Sequence, residues 1–96
     1  QYIDLLNSNL ATILEKHQPD FIFYLSGVDI LATDKLGKLS ISKSGCKIRD
    51  EIILKTCKKL NIPVQVSMGG GYSPKLSDIV EAHCNTFRVA MDLYCF

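Results

Sequence analysis

Apolar residues recur at helical spacing at Ile3, Leu6, Leu10, Ile13 and Leu14, and the run stops at His17-Gln18-Pro19, where proline disfavours helical backbone just before it. This predicts a first helix over about residues 2–16. Phe21 to Leu25 is a continuous apolar run between Pro19-Asp20 and Gly27, which suits a strand buried on both faces. Residues 28–42 hold Asp29, Thr33-Asp34, Gly37 and several serines and lysines with no steady period, which reads as a long loop of the functional kind. Ser42 or Ser44 is a cap for a second helix with apolar positions Ile48, Ile52, Ile53, Cys57 and Leu60, ended by Asn61-Ile62-Pro63. Val64 to Met68 repeats the buried-strand pattern. Ser73-Pro74 then supplies a cap and a first-turn proline for a third helix. Its apolar stripe is Leu76, Ile79, Val80, His83, Phe87, Ala90, Met91 and Tyr94.

The predicted order is α-β-α-β-α, an α/β arrangement whose helical crossover implies parallel strands and a right-handed connection. Two strands are too few for a parallel sheet, so the chain is expected to self-associate or to form the edge of a larger, doubly wound sheet. At 96 residues and 47% hydrophobic content it is one domain at most. It opens on Gln1-Tyr2-Ile3, already inside an amphipathic pattern, and so reads as a fragment.

A formal net charge of +1 leaves no basic footprint for nucleic acid or an anionic membrane, and Lys58-Lys59 reads as a solvated helix face. No apolar run is long enough to span a bilayer and no leader precedes the first helix, so a soluble, cytoplasmic protein is expected. Cys46, Cys57, Cys84 and Cys95 lack CxxC-type spacing and read as reduced, buried thiols. Unpaired sheet edges make a homodimer by strand addition an expected consequence of truncation.

The chemistry concentrates where the two strand patterns end. Asp29 follows Gly27, where bare backbone permits a sharp turn, and its carboxylate can ligate a metal, act as a base or cap the loop. Gly69-Gly70-Gly71 costs roughly 2 to 3 kcal/mol of chain entropy relative to alanines, so a reason for bare backbone is expected there. One reason is a phosphate or nucleotide cradle before the third helix, although neither the Walker nor the dinucleotide pattern is present. The other is a narrow pocket wall. Tyr72 follows as either a catalyst or an anchoring side chain. His17 falls at the wrong end of its strand, and His83 reads as a satisfied core or interface histidine.

Pro19-Asp20, Ser26-Gly27-Val28-Asp29-Ile30-Leu31, Asp34-Lys35-Leu36-Gly37, Leu39-Ser40-Ile41-Ser42, Arg49-Asp50-Glu51 and Gly69-Gly70-Gly71-Tyr72 together resemble the C-terminal part of zinc-dependent histone deacetylases. The fourth and fifth segments look most like the class IV branch and its bacterial relatives. The resemblance implies the C-terminal part of a single deacetylase domain with the arginase/deacetylase fold. It assigns Asp29 as a zinc ligand, Tyr72 as donor to the acyl oxygen, Gly70 and Gly71 as walls of an acyl-lysine tunnel, and Leu36 as its rim. Its implied substrates are acyl-lysine proteins or acylated small amines. The family's Asp-x-His ligands and paired histidines lie upstream and have no counterpart here, so these residues alone are expected to be inactive and to bind zinc weakly.

Overall fold

A computed structural model describes residues 1–33 and 39–95. Five elements follow the expected order: α1 (Tyr2–His17), β1 (Ile22–Gly27), α2 (Lys43–Lys59), β2 (Val64–Gly69) and α3 (Leu76–Tyr94). Left-handed residues close the first two helices. Gln18 has φ 43° and returns its N–H to the Leu14 carbonyl, and Asn61 has φ 56° while Ile62 N–H donates to the Cys57 carbonyl at 2.9 Å. Glutamine in this conformation is uncommon, whereas asparagine is a usual helix terminator. Ser42 is the cap of α2, its hydroxyl accepting from Gly45 N–H at 3.0 Å.

β1 and β2 pair in parallel, in register from Ile22 opposite Val64 to Gly27 opposite Gly69. Residues of one face, Tyr24 and Ser26, meet α2 and α3 through Asp50 and Thr86. The opposite face corrects the expectation of strands buried on both sides. Phe23 is 80% exposed and Leu25 66% exposed, and among the described residues nothing covers them. The apolar composition of β1 anticipates two covering layers, and the described residues bring one.

The segment after β1 is more ordered than a loop reading suggests. Val28 and Leu31 are buried with Cys46 and Ala82 in the core, flanked by Ile30 and Ile79. A short parallel bridge joins Leu31 to Ile41, with Ala32 N–H donating to the Ile41 carbonyl at 3.0 Å and Ile41 N–H to the Ile30 carbonyl at 2.9 Å. The expected tunnel-rim residue, Leu36, lies outside the described residues.

α3 departs from expectation twice. It begins at Leu76 rather than after Ser73, with Lys75 in the cap position and no side-chain cap; Ser73 is buried and its hydroxyl pairs with that of Thr33 at 2.8 Å. The packed face is also rotated. Ala82, Thr86 and Val89 are buried, whereas Leu76, Val80, Phe87 and Met91 of the apolar stripe are exposed. Ile48 of α2 and Leu60, which caps its end, are exposed for the same reason: the buried face of the helix is set by Cys46, Asp50, Leu54 and Cys57. All four cysteines are free, with Cys46 and Cys57 buried as expected and Cys95 exposed against expectation.

His83 is half-buried, and among the described residues its buried Nδ1 has no hydrogen-bond partner, which corrects the expectation of a satisfied histidine. Burial first, then Arg49, lowers its pKa, with Asp50 opposing. The folded chain therefore takes up this proton less readily than the unfolded chain. The resulting stability is fully present above the unfolded value near 6.5 and is lost as pH falls through that value toward the lowered one. A His83→Leu variant should show a shallower fall in melting temperature between about pH 7 and 5 than the parent chain. Parallel pH profiles would rule this out.

Candidate active site

Register brings the two proposed reactive residues to one end of the sheet. Because Gly27 pairs with Gly69, the chain leaves both strands at the same level, and Val28 N–H donates to the Gly69 carbonyl at 3.0 Å. Asp29 is the second residue past β1 and Tyr72 the third past β2. Asp29 is exposed, and Tyr72 is 56% exposed at the carboxyl ends of the strands. Open α/β sheets place ligand sites at this end.

The glycines are required by contact as well as by conformation. Gly70 has φ 70°, and a Cβ there would lie 3.0 Å from both the Cβ and the backbone N of Asp29. A Cβ on Gly27 would come within 2.9 Å of the Asp29 Oδ1, and one on Gly71, at φ 118°, within 3.0 Å of Ile79. The Asp29 side chain thus sits in a cradle of bare backbone. Gly69 is different, since its added Cβ would meet Leu25 Cδ1 at 2.8 Å, the movable end of an exposed side chain. Gly70→Ala should therefore destabilise the chain by about 1–2 kcal/mol from the left-handed backbone alone, whereas Gly69→Ala is expected to cost less in chemical denaturation. Equal losses would contradict this account.

A buried polar network lies directly behind the site. Asp50, fully buried, accepts at Oδ1 from the Tyr24 phenol, from Ser26 Oγ at 3.2 Å and from Arg49 Nε at 3.1 Å, and at Oδ2 from Thr86 Oγ1 at 2.6 Å. Arg49 also donates to Ser26 Oγ at 3.0 Å and to the Gly27 carbonyl. Its guanidinium stands 5.8 Å from the Tyr24 ring centroid. Burial holds the Tyr24 phenol far above its ordinary pKa, a shift opposed by Arg49 and reinforced by Asp50, so it remains a neutral donor. Burial likewise raises the Cys46 thiol and keeps it unreactive.

Sequence reasoning noticed Arg49-Asp50 as part of a resemblance and missed its structural role. A signal was present: Asp50 falls four residues after Cys46 and four before Leu54, in the middle of a buried stripe. A carboxylate there requires several donors.

Among the described residues no group of three or more His, Cys, Asp or Glu side chains is placed to hold a metal. Asp29 offers one carboxylate beside the bare backbone of Gly27 and Gly70, the chemistry of a single metal ligand.

A parallel β-α-β unit with helices over one face is an α/β arrangement, and it is consistent with a piece of the arginase/deacetylase fold. The chain belongs to the histone deacetylase domain family, a hydrolase family, whose pattern matches residues 1–87. It is 37% identical over 93 residues to an uncharacterized protein of Picosynechococcus sp., covering 97% of this chain and 31% of that protein. It is 32% identical over 80 residues to histone deacetylase 2 of Arabidopsis thaliana, covering 83% of this chain and 21% of the relative. Histone deacetylase 9 of the same plant is 35% identical over 69 residues, which are 72% of this chain and 15% of the relative. The chain thus spans less than a third of the curated relatives it matches. No helix among the described residues is long and apolar enough to cross a membrane.

Proposed function

We propose that this chain is the C-terminal part of a single zinc-dependent deacetylase domain of class IV-like type, acting on acyl-lysine or acylated small-amine amides. The observation that carries the reading is the Asp29 turn packed on Gly70, one residue before a second glycine and two before Tyr72, at the carboxyl ends of paired parallel strands. Asp29 would hold the metal as one of its ligands. Tyr72 donates its phenolic hydrogen to the acyl oxygen as negative charge develops there, and Gly70 and Gly71 leave room for the acyl-lysine stem. Bound zinc would supply Lewis acidity toward the acyl oxygen and the attacking water. The remaining ligands and the acid–base pair would have to be supplied by residues other than those of this chain.

The competing phosphate or nucleotide cradle is less well supported. Four residues separate Gly71 from the first residue of α3, so the glycine amides are not at the helix N-terminus that would favour an anion. The test is hydrolysis of an acyl-lysine peptide by the full-length protein carrying this chain, in wild-type, Asp29→Ala and Tyr72→Phe forms. Activity unchanged by both substitutions sinks the assignment.

A further inference from the structure

The Asp29 turn is held by backbone bonds on one side and by a single side chain on the other. Val28 N–H reaches the Gly69 carbonyl and Leu31 N–H the Val28 carbonyl at 3.2 Å. The Gly27 carbonyl, which points away from the β2 ladder's last bond, accepts instead from Arg49. Arg49 is 5% exposed, and its other donors are taken by Ser26 and by Asp50, which is in turn fixed by Tyr24 and Thr86. Three elements therefore aim one rigid guanidinium at the peptide two residues before Asp29. Arg49 and Asp29 also line one cavity of about 290 Å³ with Tyr24 and Leu6.

We propose that Arg49 is a positioning residue for the Asp29 ligand, setting the direction of the Gly27–Asp29 turn through its bond to the Gly27 carbonyl while Asp50 holds the guanidinium in place. Arg suits this role because its planar fork binds a carbonyl, a hydroxyl and a carboxylate at once; lysine offers a single movable ammonium. The inference rests on the reading of Asp29 as a metal ligand. Groups that orient a ligand without touching the metal commonly alter affinity or activity by about 10–100-fold when removed.

The experiment uses the full-length protein in wild-type, Arg49→Lys, Arg49→Gln, Tyr24→Phe and Asp29→Ala forms. Zinc affinity is measured by chelator competition, and the visible absorption of the cobalt-substituted protein reports ligand geometry. Both Arg49 variants should bind zinc about 10–100-fold more weakly and show an altered cobalt spectrum. Tyr24→Phe, which removes one donor from Asp50 and leaves the Arg49 bond to the Gly27 carbonyl, should change both much less than the Arg49 variants do. Arg49→Lys keeps a cation beside Asp50 and carries the comparison if Arg49→Gln does not fold. Wild-type affinity and spectrum in the Arg49 variants, or equal weakening by Tyr24→Phe, would overturn the proposal. Weakening by Asp29→Ala alone refutes only the role of Arg49, whereas no effect of Asp29→Ala refutes the ligand reading beneath it.

Discussion

Tyr72→Phe in the full-length protein should lower kcat on an acyl-lysine peptide by about 10²–10³-fold while leaving KM little changed. The hydroxyl is assigned a hydrogen bond that strengthens only as the acyl oxygen becomes an oxyanion, so its loss raises the barrier without weakening ground-state binding. The backbone on either side has anchors of its own. Ser73 is buried and bonded to Thr33, and Gly71 rests against Ile79. Urea denaturation of the same variant separates a chemical effect from a folding one: a large rate loss with an unchanged unfolding midpoint is chemical. A loss confined to KM would reject the oxyanion role and favour a substrate-anchoring one.

Asp50→Ala is expected to cost about 3–5 kcal/mol of folding stability, because it strands the Arg49 charge in a buried site and leaves Tyr24, Ser26 and Thr86 without their shared acceptor. A small domain has about 5–15 kcal/mol in total, and one near the low end would keep only about 0–2 kcal/mol, so the variant should be marginally folded at room temperature. Thr86→Val and Tyr24→Phe, each deleting one donor, should cost about 1 kcal/mol apiece. Asp50→Asn retains an acceptor and should fall between these limits. Urea denaturation followed by circular dichroism measures the series. An Asp50→Ala chain within about 1 kcal/mol of wild type would show that the network contributes little net stability.

Element type and order were legible in the sequence because they depend on local signals. Periodicity, Pro19, Pro63 and the glycines after each strand mark boundaries that the structure moves by a residue or two. The family was legible from joint motifs and is borne out by the match over residues 1–87. The start of α3 was misplaced because Ser73-Pro74 has cap chemistry. Its hydroxyl is instead engaged by Thr33, forty residues earlier, a partner no local rule supplies. The stripe on α3 was misjudged for a related reason. Large apolar residues suggested the packed face, but the contact with α2 is built from Ala82, Thr86 and Val89 around a buried carboxylate.

From the order of residues alone came the α-β-α-β-α arrangement, the parallel crossover and the meeting of Asp29 with the glycine turn at the strand ends. These follow from short-range backbone preferences and from the chirality of the connection, which sequence carries directly. Folding in three dimensions settled which face of each helix is inside, left one face of the sheet bare, and joined Arg49 and Asp50 to Tyr24, Ser26, Gly27 and Thr86. Such pairings depend on the relative rotation of elements far apart in the chain. That rotation has to satisfy the buried Arg49–Asp50 pair, a condition that hydrophobic periodicity does not encode.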